Sequence, residues 1–82
     1  MVLLMEGIVR LERMDPPRNA FRFYQLEILP DLFDQAALRV SWGRIGRPAR
    51  QVIRCGGEIA DVVKVRSRIV REKTRKGYRR VA

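Results

Sequence analysis

An indole ring and several guanidinium groups lie close together in the middle of the sequence, and this combination is suited to binding a nucleic acid. The segment SWGRIGRPAR contains Trp42, the only tryptophan of the 82 residues. The basic residues around it are Arg39, Arg44, Arg47 and Arg50. A guanidinium binds phosphate as a planar fork, and an indole stacks on sugars and bases. The residue types and their spacing therefore indicate a stacking platform beside a phosphate clamp.

Trp42 has a second interpretation as a core residue. It alternates with Leu38 and Val40, so that the three side chains share one face of a predicted strand. Buried aromatic rings are more common than ligand-stacking ones. Both interpretations hold together if the ring is half-buried at the end of the sheet.

The positive charge of the chain belongs to its second half. The formal net charge is +9. Residues 1–38 contain four arginines and six acids, whereas residues 39–82 contain fourteen bases and three acids. Fifteen of the eighteen bases are arginine, the residue that suits planar phosphate recognition. A polyanion is therefore the expected partner.

The inventory of side chains argues against catalysis and against a cofactor. The chain has no histidine and one cysteine, so metal sites and imidazole-assisted nucleophiles are not available. Asp31 and Asp34 are the nearest carboxylate pair, but they lie in a segment where turns favour aspartate. Cys55 beside Arg54 is read as a small apolar residue in preference to a reactive thiol. We expect a protein that is not an enzyme and needs no metal or cofactor.

The length of the chain limits the number of domains, and its cysteine content indicates the cellular compartment. A chain of 82 residues fills one hydrophobic core, so residues 1–82 are predicted to be a single domain. The N-terminal segment MVLLMEGIVRL lacks a basic lead-in and a cleavage site, and its apolar run is too short for a bilayer. One cysteine favours a reducing cytoplasm in a bacterial or other intracellular setting, where the protein is expected to be nucleoid-associated or soluble.

Strand-like segments alternate with turn-forming ones in the first two thirds of the chain. Strands are predicted over residues 3–13, 21–29, 37–44 and 51–55, with the pair Gly56–Gly57 ending the last one. The segments MDPPRN, PDLFDQ and IGRPAR read as loops. The last six residues, GYRRVA, either fray or add a short edge strand.

A long helix is predicted over residues 58–76, because no proline or glycine interrupts them and Gly77 stands at the C-cap. Its apolar arc contains Ile59, Val62, Val63, Ile69 and Val70. Arg66 and Lys73 also fall on that arc, so each must extend along it to solvent or pair with a carboxylate. The sequence therefore predicts an α+β fold: an antiparallel sheet of four to five strands with one long C-terminal helix packed on one face.

A basic stripe on the opposite side of the helix has three interpretations. It consists of Lys64, Arg68, Arg71 and Arg75. Most such runs are solvated faces, but the excess of one sign here also suits a phosphate backbone. A membrane surface is less well matched, because the apolar arc has no bulky Trp, Phe or Leu.

The sequence resembles the WGR domain family, named for the tripeptide found here as Trp42, Gly43 and Arg44. NAFRFYQLEI resembles the family's opening strand, with its signature at Phe23, Tyr24 and Leu26. EKTRKGYR resembles the close of the family's helix, with Lys73, Lys76, Gly77 and Tyr78. The resemblance runs from about Leu11 to Arg80.

The resemblance implies DNA binding. WGR domains occur in poly(ADP-ribose) polymerases, where they bind damaged DNA ends, and in small bacterial proteins, which this chain resembles more; ADP-ribose transfer is not implied. By similarity, Trp42 packs against a sugar or base at a DNA end and Arg44 contacts the backbone or a partner protein. Arg39 and Arg47 extend the basic surface.

Residue chemistry and resemblance together predict a non-catalytic module that binds DNA ends or nicks without strong sequence preference. Two rival functions remain open at this point: an adaptor that binds a protein through the same surface, and a binder of single-stranded RNA or DNA. The oligomeric state is left open.

Overall fold

The computed structural model describes residues 8–31 and 35–82. Within these residues, five strands and one α-helix follow one another along the chain. In order they are β1 (Ile8–Asp15), a 3₁₀ turn (Pro16–Arg18), β2 (Ala20–Leu29), β3 (Ala36–Arg44), β4 (Arg50–Gly57), helix α1 (Ile59–Arg75) and β5 (Arg79–Arg80). The predicted α+β class is confirmed.

The five strands of the described chain form one antiparallel sheet in the order β4-β3-β2-β1-β5. Strands β1 to β4 pair with their neighbours in sequence, as short connections between strands favour. The chain then crosses one face of the sheet as α1 and returns to pair Arg79–Arg80 with Leu11–Glu12. The edge strand considered for the C-terminal segment is therefore present.

The core lies between one face of the sheet and the helix. Alternate residues of β1, β2 and β3 point toward α1, as the period of two requires. Its buried members are Val9, Leu11, Leu26, Ile28, Ala36, Leu38, Val40, Val62 and Ile69. The predicted alternation in β2 and β3 and the predicted apolar arc of the helix are both confirmed.

Two strand boundaries differ from the prediction. β1 extends to Asp15 before the prolines, and the part of the predicted first strand at residues 3–7 lies outside the described residues. β4 does not end at the glycine pair, because Gly56 and Gly57 pair with two alanines at the start of β3. The middle of the loop PDLFDQ, residues 32–34, also lies outside the described residues.

Helix α1 ends in a Schellman motif. The N–H of Tyr78 donates to the carbonyl of Lys73 at 3.0 Å, and the N–H of Gly77 donates to that of Thr74 at 3.1 Å. Gly77 has φ +96°, a left-handed conformation that glycine adopts without a Cβ penalty. The motif turns the chain back toward the sheet and brings Tyr78 beneath the last turn of the helix.

Replacing Gly77 with alanine is expected to lower the free energy of unfolding by about 1 kcal/mol, because alanine resists the left-handed conformation. Thermal denaturation followed by circular dichroism measures the change. Gly56→Ala is the matched control, since Gly56 is exposed and its φ is not positive; we expect it to stay within about 0.5 kcal/mol of the wild type. Equal losses for both variants would contradict a special role for the helix end.

Candidate nucleic-acid interface

Trp42 lies in β3 at the end of the sheet that the helix does not cover. Its side chain is partly buried and packs against the core, and its ring stacks on Tyr24 of β2 with centroids 6.5 Å apart and planes 28° apart. The two residues are cross-strand partners. The ring is therefore both a boundary residue of the core and a surface aromatic, as expected for a half-buried position.

A cleft of about 560 Å³ opens over this end of the sheet. Its aromatic side is formed by Tyr24, Trp42 and Tyr78, and the cations around it are Arg22, Arg44, Arg54 and Lys73. Among the described residues, no carboxylate lines the cleft. Positive groups are thus concentrated in a concave surface with apolar walls, an arrangement that favours anions over cations.

Lys73 closes the cleft from the side of the helix. Its ammonium lies 4.3 Å from the centroid of the Tyr24 ring and 5.5 Å from that of Tyr78. Burial lowers the pKa of Lys73, and the positive charge of Lys76 lowers it further, while Glu72 acts in the opposite direction. The two ring faces offset part of the cost of burying this cation. Tyrosine rings, and not a carboxylate, thus accommodate the lysine on the apolar arc.

Tyr24 is the central residue of the aromatic group. Its ring stacks on Trp42 and meets Tyr78 edge-on, with centroids 6.4 Å apart and planes 75° apart. Burial raises the pKa of the Tyr24 phenol, Tyr78 and Glu72 add to the rise, and Arg54 opposes it. The Tyr24 hydroxyl therefore stays protonated at neutral pH and can donate a hydrogen bond to a ligand.

Gly43 stands where the loop after β3 crosses back over the sheet. Its φ is +157°, and a Cβ at this position would lie 3.5 Å from the carbonyl oxygen of Pro48 and 3.6 Å from the Phe23 ring. A Cβ would thus make only ordinary van der Waals contacts here, where Pro48–Ala49 pass over the face that is opposite the cleft. The loop, in turn, carries Arg47 and leads to Arg50.

Arg44 is held by the turn between β1 and β2. Its Nη1 donates to the main-chain oxygen of Asn19 and its Nη2 donates to Asn19 Oδ1, both at 3.0 Å. The guanidinium carbon lies 5.4 Å from the centroid of the Phe21 ring. The arginine of the tripeptide is therefore exposed but has a defined orientation at the rim of the cleft.

Proximity in the sequence groups Arg39 with the ring, whereas alternation along the strand predicts that it faces the other way, and the structure follows the alternation. Arg39 points to the opposite face of the sheet, where its Nη2 donates to Glu27 Oε1 at 2.6 Å. Strand alternation causes this, because adjacent residues of β3 face opposite ways. Arg47 and Arg50 are exposed and lie outside the cleft lining, although Arg50 is the cross-strand partner of Trp42. Of the predicted residues, Trp42 and Arg44 come together in the cleft.

Comparison with known proteins agrees with the tripeptide and the fold. The family model of the WGR domain matches residues 8–82. The chain belongs to the WGR domain family. This is a non-catalytic domain family that is known in nucleic-acid-binding contexts.

A relative of this WGR domain is the uncharacterized protein y4dW of Sinorhizobium fredii, which is 38% identical over 69 residues. The match covers 84% of this chain and 34% of the relative, so the chain spans about a third of the length of that protein. No solved structure matches this WGR domain.

The basic stripe of the WGR helix lies apart from the cleft lining. Its members Lys64, Arg68, Arg71 and Arg75 are all exposed, on the side of α1 that faces away from the sheet. Within residues 8–31 and 35–82, none of the four forms an ion pair. The predicted binding residues of this WGR domain thus fall on more than one surface.

Sequence reasoning missed three of the cations in the cleft. Arg22 could have been found from the sequence, because it shares strand phase with Tyr24; the structure pairs it with Arg44 across the strands. Arg54 carried none, since a register shift opposite Leu38 and Arg39 breaks the alternation of β4. Lys73 was visible only as a charge on an apolar arc, and its position between the rings depends on the tertiary fold.

Other kinds of site find no support in the part of the chain that the structure describes. It holds no group of three or more cysteine or carboxylate side chains able to bind a metal ion. None of its helices is long and apolar enough to cross a bilayer.

Lys73→Ala is expected to lower the free energy of unfolding by about 1 kcal/mol more than Lys76→Ala. Both variants remove one positive charge from the end of the helix, but Lys76 is exposed, whereas the Lys73 stem and ammonium contact Tyr24 and Tyr78. Urea denaturation of the two variants measures the difference. A Lys73→Ala variant as stable as Lys76→Ala would show that the rings only balance the cost of desolvating the ammonium.

Proposed function

We propose that this WGR domain is a non-catalytic module that binds DNA at ends or nicks through the cleft. The observation that carries the proposal is the pairing of a partly exposed indole with four cations in one cleft whose described lining has no carboxylate. Stacking on the ring favours a nucleotide, and the uncompensated charge favours a polyanion.

The position of Trp42 supports a preference for interrupted strands. Within an intact duplex, both faces of a base pair are stacked on neighbours, so that a ring fixed to a sheet cannot reach them. An end or a nick exposes a base face and a sugar to such a ring. The Tyr24 ring behind Trp42 supports it from the protein side, with the planes 28° apart. The indole is thus suited to a terminal nucleotide.

The cations around the ring are placed to hold the backbone that leads to such a nucleotide. Arg22, Arg44 and Arg54 stand on β2, β3 and β4, and neighbouring strands lie about 4.8 Å apart. Arg22 and Arg44 are cross-strand partners, whereas Arg54 lies opposite Leu38–Arg39, so that its Cα is also offset from theirs by about five residues, or roughly 17 Å, along the strands. The set therefore spans a length comparable to about five nucleotides of one strand at about 3.4 Å each. Among the residues that the structure describes, no recognition helix or ribbon lines the cleft, so we expect little dependence on base sequence.

A single-stranded nucleic acid is the second candidate ligand. The observation that favours it is the group of three aromatic rings in an open cleft, since unpaired bases stack on such rings regardless of sequence. Single strands of DNA and RNA therefore belong in the same experiment as duplexes.

Fluorescence anisotropy with labelled blunt duplex, nicked duplex, intact hairpin-capped duplex, and single-stranded DNA and RNA tests the proposal. We expect tighter binding to the blunt and nicked duplexes than to the capped one. The logarithm of affinity should fall linearly with the logarithm of salt concentration, with a slope of about −0.9 for each phosphate contacted. Equal affinity for all duplexes would remove the preference for ends, and tighter binding to single strands would favour the second candidate.

Trp42→Ala is expected to weaken binding to ends by about 5- to 150-fold, which corresponds to the loss of one stacking contact. Arg54→Gln should weaken binding and reduce the magnitude of the salt slope by about one. Arg71→Gln is the control, because it removes the same charge from the outer face of the helix. Equal effects of the two arginine variants would indicate that only net charge matters, and the search would then turn to a protein partner.

A further inference from the structure

We propose that Asn19 is a positioning residue of this WGR domain: it orients the guanidinium of Arg44 for contact with a DNA phosphate while leaving its charge uncompensated. The inference rests on the proposed DNA binding at the cleft. It gives the loop MDPPRN, which the sequence identifies only as the end of a strand, a role in orienting a DNA-binding side chain.

The loop presents Asn19 in a conformation that few residue types adopt. Pro16 and Pro17 begin a 3₁₀ turn, and the N–H of Asn19 closes it by donating to the carbonyl of Pro16 at 2.9 Å. Asn19 itself has φ +55° and ψ +37°, the left-handed region in which asparagine is enriched. This conformation directs both its main-chain oxygen and its side-chain oxygen toward the end of β3.

Two acceptors on one residue fix the plane of the Arg44 guanidinium. Nη1 donates to the main-chain oxygen of Asn19 and Nη2 to its Oδ1, both at 3.0 Å, and the Phe21 ring lies 5.4 Å away. A guanidinium has five N–H donors, so about three remain for a ligand. Because Arg44 lines the cleft, these donors are available at the place where the proposed DNA backbone passes.

Arg44 differs from the arginines on the other face of the sheet in the kind of side chain that binds it. Arg10 and Arg39 are bound by Glu12 and Glu27, whose carboxylates neutralise them. Asn19 holds Arg44 with neutral oxygens, so the group keeps its full positive charge. An arginine that is already oriented loses less side-chain freedom when it binds phosphate, which improves affinity without a new contact.

Asn19→Gly and Asn19→Asp test the inference. Glycine keeps the positive φ and the main-chain acceptor but loses Oδ1; we expect affinity for the blunt duplex to fall about three- to tenfold with little change in melting temperature. Aspartate keeps the shape but pairs ionically with Arg44. It should weaken binding further and reduce the magnitude of the salt slope by about one, to the value of Arg44→Ala.

Gln25→Glu is the matched control for the added charge. It makes the same amide-to-carboxylate change beside Arg10, whose Nη1 donates to Gln25 Oε1 at 3.3 Å on the face that is opposite the cleft. We expect this variant to bind DNA nearly as well as the wild type. Equal losses for Asn19→Asp and Gln25→Glu would overturn the inference, because overall charge would then explain both.

A double-mutant cycle shows whether Asn19 acts through Arg44. In an Arg44→Ala background, Asn19→Gly should have no further effect on affinity. The same fold loss in both backgrounds would overturn the inference. If Trp42→Ala abolishes binding while Arg44→Ala does not change it, the inference fails and the proposed function stands; if the wild type binds no DNA, both fail.

Discussion

The division of one sheet face into a core and an open cleft depends on how much of the sheet a short helix can cover. Helix α1 has 17 residues, about 25 Å in length, and it packs on β3 and on its neighbours β4 and β2. The Schellman motif at Gly77 ends it above Tyr24. Where the helix lies on the sheet, the apolar face of the sheet is buried as a core. Past the C-terminal end of the helix, the same face of the sheet is open to solvent. The cleft is therefore the uncovered end of the face that forms the core, which is why Trp42 belongs to both.

The cations on the two faces of the sheet have different kinds of neighbours. On the face away from the helix, Arg10 and Arg39 are paired with glutamates, and that face has few uncompensated charges near its centre. On the face that carries the helix, the cations of the cleft contact neutral groups in place of carboxylates: Lys73 lies over the Tyr24 ring, and Arg44 donates to the side-chain amide of Asn19. Within the sheet, the cations without carboxylate partners thus gather at one end of the face that carries the helix, while the basic stripe of the helix lies on a separate surface.

Lys73 illustrates the free-energy cost of placing a cation in a partly buried cleft. Burial lowers its pKa, so the ammonium is less favourable there than in water, and the tyrosine rings compensate only in part. A leucine at this position would pack against Tyr24 and Tyr78 without that cost. The retained charge makes physical sense if an anion enters the cleft, because the anion would then share the lysine with the rings. The same logic applies to Arg44, which the turn orients but does not neutralise.

Periodicity and punctuation in the sequence determined the fold class, the strand alternation and the helix with its glycine end, because these depend on local backbone preferences and on which side chains avoid water. The Trp-Gly-Arg tripeptide was likewise visible at once. Tertiary structure alone decided which charged groups meet: it paired Arg39 with Glu27, brought Arg54 and Lys73 to the ring, and placed Asn19 under Arg44. Strand register, a bulge in β4 and the end point of the helix set those neighbours, and each arises from pairing between segments far apart in the chain.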